Sequence, residues 1–388
     1  MSPRAARLIV IGLSLALVTT ACGGDGTTTT QGGGGVSTTP GGTGRSAADL
    51  EAEGLLAAPG SLTGRIGGAG ATFPTPVFQD WLFEYSDPRV GNPRQPGVNI
   101  DYQSIGSGGG IQQFLELTVD WGTSERYLRD EQLAQAESTR GCPALQVPMM
   151  YGSVVLAFGD PGFDEMVLSA EAIAGIFQRD IIKWNDPALV ALNPDMDLPD
   201  RDIIPVHRSD GSGTTSVFTT YLEDAAPNWL LGSGTEVNWP AGTVGGQGNE
   251  GVTAQTQANP QAIGYVNQSY ALINQLPQAR VINEDGNPIY PTLQATTVAV
   301  DGLEVPDNFQ FDILGIGGDG YPITGTVWNF YYECGYTPEA KATLLDFWTW
   351  ATQSTEADTI ARELGYAPLG EAVKEMVLTA LMRIGIQD

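Results

Sequence analysis

The sequence predicts an α/β protein with ligand groups gathered at the carboxyl ends of its strands, and three observations carry that reading. Apolar β-branched runs alternate with runs of helical period along most of the chain. Strand signals are followed three times by a Gly-rich turn bearing Ser or Thr and then by helical spacing, at residues 67–74, 106–110 and 207–216. Residues 145–158 are mostly apolar and β-branched, the composition of a strand buried on both faces. A helix start leaves backbone N–H groups without partners and carries partial positive charge, so three such starts describe a place for an anion.

Residues 1–22 open with Arg4 and Arg7 and continue with an apolar run over 8–18, too short to span a bilayer. This fits a secretory signal. Cys22 after a small residue resembles a bacterial lipoprotein processing site, although Thr19 stands where a larger aliphatic residue is usual. Lipidation at Cys22 is therefore expected, with an ordinary signal and an incidental cysteine as the alternative. Residues 23–60 are rich in Gly, Thr and Ser and read as a tether, with the brief amphipathic hint of Leu50, Leu55 and Leu56 included in it. The folded region is expected from Ser61.

Leu62 and Ile66 signal a strand before the first Gly-rich turn. Pro74 suits the first turn of the helix carrying Val77, Phe78, Trp81, Leu82 and Tyr85. Residues 98–102 alternate as a strand before the second turn, and Ile111, Phe114 and Leu115 continue it as a helix. Residues 118–125 form a short strand ending in hydroxyls and the acid Glu125. Ser169 caps a helix to Phe177, and residues 184–187 turn into another. Residues 203–206 lead as a strand into His207, Arg208, Ser209 and Asp210, and a helix follows. Residues 263–266 and 326–332 are strands, and 341–351 and 372–383 are amphipathic helices.

Composition narrows the function. With 18 Lys and Arg against 45 Asp and Glu, net charge −27, the chain lacks the basic footprint of a nucleic-acid binder. Any anion site must be built locally against that field. None of the glycine-rich turns has the Gly-Lys-Ser/Thr ending of a P-loop or the dinucleotide spacing with its acidic partner, so no nucleotide or other cofactor is expected. Besides Cys22 only Cys142 and Cys334 remain, and in an exported chain a leftover pair favours a disulfide over a metal site. His207, Asp210 and Ser212 are the residue types of a hydrolase triad, but residues so close in one turn rarely converge as a triad must, and no enzyme is expected.

In these stretches, and in residues 239–251 and 365–369, the chain resembles the periplasmic phosphate-binding proteins of bacterial phosphate ABC transporters, in order over about residues 61–388. The resemblance implies a type II periplasmic-binding-protein fold of two lobes, each a mixed sheet flanked by helices, with two crossing strands. The first lobe would comprise 61–148 plus 319–388 and the second 149–318, which puts Cys142 and Cys334 together in the first. It implies a phosphate site in which Thr72 and Phe73 offer backbone N–H groups and Thr72 its hydroxyl. Ser107 would donate from hydroxyl and backbone. Arg208, held by Asp210, would supply the positive charge, and Ser212, Gly213 and Thr214 would donate at a helix start. Glu125 stands where the family usually has aspartate, as acceptor from a protonated oxyanion, and its extra methylene puts affinity and oxyanion selectivity in question. The implied function is an extracytoplasmic lipoprotein, anchored to the membrane by lipid only, that delivers phosphate to permease subunits as a monomer. A surface-tethered sensor or adhesin is the alternative.

Overall fold

The computed structural model describes residues 45–387. The signal and Cys22 lie outside them, as does most of the tether. The chain runs through α1 (Ala47–Ala52), β1 (Thr63–Gly70), α2 (Thr75–Ser86), β2 (Gly97–Ser104), α3 (Ser107–Leu115), β3 (Trp121–Ser124), α4 (Asp130–Arg140) and the long β4 (Ala144–Phe158). It continues through β5 (Val167–Leu168), α5 (Ala170–Gln178), α6 (Pro187–Leu192), β6 (Ile204–Arg208), α7 (Gly213–Ala225), β7 (Val244–Gly246), α8 (Gly248–Gln257), β8 (Ala262–Asn267), α9 (Gln268–Ile273), β9 (Arg280–Ile282), β10 (Pro288–Ile289) and α10 (Leu293–Ala299). It returns through β11 (Thr324–Tyr332), α11 (Pro338–Gln353), α12 (Thr355–Glu363), β12 (Ala367–Pro368) and α13 (Glu371–Leu381).

The main sheet has the order β2-β1-β3-β11-β4-β8-β6-β7, with β12 added on β4, and β10-β9-β5 form a small separate sheet. β1 pairs in parallel with β2 and β3, and β6 in parallel with β8 and β7. The two parallel groups are joined through β4, which is antiparallel to β11 along its first part and to β8 along its last. Non-consecutive parallel neighbours need helical crossovers, so α2, α3, α7 and α8 each begin just beyond the carboxyl end of a strand. β4 is buried along nearly its whole length, as its apolar composition requires, and a register shift at Val327/Trp328 interrupts its pairing with β11.

Residues 46–58, read from the sequence as tether, belong to the folded body instead. Ser46 caps α1 with a capping box, and Leu50, Leu55 and Leu56 enter the core. The Ala57 N–H donates to Asp346 Oδ2 at 2.6 Å, and the same buried carboxylate accepts from Tyr85 and Arg94. Leu50 lies in α1 and Leu55 and Leu56 in the turn after it, and the polar residues around them concealed the signal. Cys142 and Cys334 form a disulfide with Cα atoms 6.1 Å apart, tying the approach to β4 to the end of β11. Among the described residues no helix is long and apolar enough to cross a membrane, and no group of three His, Cys, Asp or Glu is placed to hold a metal ion.

Candidate functional site

The helix starts converge because their strands end on one side of the sheet. β1 ends at Gly70, and Thr72 and Phe73 form the turn before α2; among the described residues neither of their N–H groups donates to a backbone carbonyl. β2 ends at Ser104, and Gly106 caps α3 with φ 88°, a left-handed conformation that favours glycine and places Ser107 at the first turn. β6 ends at Arg208, and Ser212 caps α7 by accepting from the Thr215 N–H at 3.0 Å. The N–H groups of Gly213 and Thr214 are first-turn groups with no intrahelical partner.

Glu125 closes the arrangement from β3. It is 3 % exposed and directly follows the buried strand. Its Oε2 accepts from the Ser107 hydroxyl and its Oε1 from the Thr214 hydroxyl at 2.8 Å. The side chain lies so close to the first turn of α7 that a Cβ on Gly213 would stand 2.2 Å from Oε2 and 2.6 Å from Ser107 Oγ, so any larger residue there would have to push these groups aside. Burial pushes the Glu125 carboxyl up from its ordinary value, against the opposing pull of the Ser107 bond, the Arg208 charge and the Thr214 bond.

Arg208 is 4 % exposed and is gripped on one edge by Asp210, with Nε to Oδ1 at 2.8 Å and Nη2 to Oδ2 at 2.5 Å. Its Nη1 is left on the side of Thr214 Oγ1, at 3.4 Å. Burial opposes the charge on Asp210, but the Arg208 bonds and charge, with the Gly248 N–H at 3.0 Å, hold its carboxyl below the ordinary range. The Arg208 N–H donates to the Tyr265 hydroxyl, whose own pKa burial pushes up to about 12. His207 lies on β6 with its ring stacked on Trp239, centroids 5.0 Å apart, consistent with a strand residue.

The structure thus brings together Thr72, Ser107, Glu125, Arg208, Asp210, Gly213 and Thr214, with Phe73 in the adjoining turn. Ser212 differs in part: its N–H donates to the Thr235 carbonyl and its Oγ accepts a helix N–H, so only its hydroxyl proton remains. Asn249 was missed. It is fully buried at the start of α8, donating from Nδ2 to Thr72 Oγ1 at 2.8 Å and Thr214 Oγ1 at 3.2 Å and accepting from the Asn267 N–H. Tyr270 and Tyr366 fix the same turn by donating to the Thr72 and Phe73 carbonyls. The missed signal was a fourth Gly-rich turn, Gly245 to Gly248, after a strand of only three residues.

A family model of the PBP superfamily domain matches residues 29–355. The phosphate-binding protein PstS of Pasteurella multocida is 36% identical over 319 residues, covering 80% of this chain and 88% of that protein. The protein of the same name from Methanocaldococcus jannaschii is 33% identical over 339 residues, covering 81% and 85%. Among solved structures, the phosphate-bound periplasmic phosphate-binding protein PfluDING aligns with TM-score 0.65 at 22% identity, over 81% of this chain and 93% of that one. A phosphate-binding protein from Stenotrophomonas maltophilia aligns with TM-score 0.63 at 20% identity, over 82% and 94%. The chain belongs to the PstS phosphate-binding protein family of the PBP superfamily, and its fold is the type II periplasmic-binding-protein fold. The named relatives are binding proteins, not enzymes.

Proposed function

We propose that the chain captures inorganic phosphate at these helix starts, outside the cell membrane, and hands it to the permease of an ABC transporter. One observation carries the reading: neutral donors from α3 and α7 and one buried guanidinium already converge on a carboxylate, that of Glu125. A seat that satisfies one oxyanion with hydroxyl donors beside a single guanidinium, without a stack of positive charge, suits another in a chain of net charge −27. Thr72, Phe73, Ser107, Arg208, Ser212, Gly213 and Thr214 are its donors, Asp210 holds Arg208, and Glu125 is its acidic wall. The relatives' names support phosphate as the anion.

The site would lie between a lobe of residues 61–148 plus 319–388 and one of 149–318, and lipidation at Cys22 would keep a monomer at the membrane. Labelled palmitate should enter the native chain and not Cys22→Ala; equal labelling would remove the anchor from the account. Calorimetry tests the binding. Phosphate, which keeps a proton at neutral pH, should bind, and sulfate, which keeps none and meets the Glu125 charge, should bind at least about a hundredfold more weakly. Equal affinity for the two, or none for phosphate, would refute the reading.

A further inference from the structure

Ser107 and Thr214 each have a single hydroxyl proton, and both protons are directed at Glu125. An anion that takes those donors must take them from the carboxylate. Behind Glu125 lies a cavity of about 20 Å³ whose lining includes Val217, Asp312, Thr326 and Trp328. That is room for one water-sized group, about the bulk of a carboxylate oxygen. Thr326 is 1 % exposed, and its hydroxyl has no hydrogen-bond partner among the described residues. A buried hydroxyl left unpaired is costly, so a donor here needs an acceptor.

We propose that Glu125 is a tethered competitor for the anion seat, and that an entering anion displaces its carboxylate until one oxygen takes the Thr326 hydroxyl while the other faces the proton of phosphate. The inference rests on the phosphate reading above and adds an exchange inside it: Ser107 and Thr214 pass from carboxylate to phosphate while Glu125 passes to Thr326. The charged groups around the side chain set the balance. Arg208, on β6, favours the present position. Asp312 faces the cavity and opposes the move, but Arg126 Nη1 pairs with it at 3.0 Å and offsets its charge. Asp210 is held by Arg208 and the Gly248 N–H. Thr326 thereby becomes a positioning residue that never touches phosphate.

Phosphate calorimetry on variants tests this. A hydrogen bond to a charged group is strong enough that Thr326→Val should weaken phosphate about tenfold in the native background. In Glu125→Ala, with nothing left to relocate, the same substitution should change affinity less than about twofold. Unchanged affinity in Thr326→Val with native Glu125 overturns the inference, as does an equal loss in both backgrounds. Should Glu125→Ala not fold, Ser107→Ala gives a second readout. A shared donor stabilises competitor and ligand alike, so its removal should cost at most about threefold in the native chain but at least about tenfold in Glu125→Gln, where the competitor is neutral and weaker. Equal costs overturn the inference. If no chain binds phosphate, the phosphate reading falls and this inference with it; if the native chain binds but the paired effects are absent, only this inference falls.

Discussion

Replacing Arg208 with methionine separates what the guanidinium does for stability from what it does for binding. In the free protein its Nε and Nη2 satisfy Asp210, with side-chain exposures of 1% and 17% for the two partners. Removing one member of a buried pair costs about 3–5 kcal/mol because the other charge is left behind. The lower end applies, since Asp210 keeps the Gly248 N–H and some access to water. Binding suffers separately: Nη1 is the edge left toward the seat, and each charge-assisted bond it gives phosphate is worth about 1.5–3 kcal/mol, roughly ten- to a hundredfold in affinity. Arg208→Met should therefore lose both stability and phosphate. Arg208→Met/Asp210→Asn removes the stranded charge, so denaturant unfolding should recover at least half of the lost stability while calorimetry still shows the weakened binding. Native-like phosphate affinity in the double variant would refute the assignment of Arg208 to the anion. Full stability in Arg208→Met alone would refute the pairing argument.

Other consequences reach the scaffold. Leu55→Ala should cost about 2–5 kcal/mol in unfolding free energy, as for a buried leucine, whereas a tether residue would cost almost nothing. Cys142→Ser/Cys334→Ser opens a loop of 192 residues, and chain-entropy reasoning puts the loss near 5 kcal/mol, measurable by denaturation, with phosphate affinity little changed. His207, the only histidine, has its pKa lowered from 6.5, chiefly by burial and against its bond to the Arg208 carbonyl. The unfolded chain then binds the proton more readily than the folded one. Stability should fall as pH drops below about 6.5 toward the lower folded value, and His207→Gln should remove that part of the slope in thermal melts. Gly213→Ala should weaken phosphate binding, because its methyl group would crowd Ser107 Oγ and Glu125 Cβ wherever the carboxylate lies; calorimetry showing native affinity would contradict the close packing.

The glycine-rich starts of α2, α3 and α7 were legible because glycine, hydroxyls and helical spacing are local features, and they carried Thr72, Ser107 and Arg208 with them. The start of α8 was not. β7 is only three residues long and partly exposed, so no strand signal announced the turn, and the role of Asn249 arises from residues 177 and 35 positions away. Ser212 shows the opposite failure: its residue type suits an anion, but its backbone is committed to Thr235, a contact set by the loop after α7. Glu125 lies among the helix starts, as expected of an acceptor there, yet its being already bonded by Ser107 and Thr214 depends on side-chain reach across three elements, which no spacing reveals. α1 was lost to composition: it holds a single leucine, and the segment after it is tied to the body by the Ala57 N–H bond to Asp346 of α11, a contact 289 residues away in sequence.

The most direct test is a crystal structure of residues 45–388 grown with phosphate. The account predicts phosphate within hydrogen-bond reach of Ser107 Oγ, an Arg208 guanidinium nitrogen and the Gly213 and Thr214 N–H groups, with Arg208 still held by Asp210. Phosphate bound elsewhere, with the Glu125 carboxylate still on Ser107 and Thr214, would contradict it.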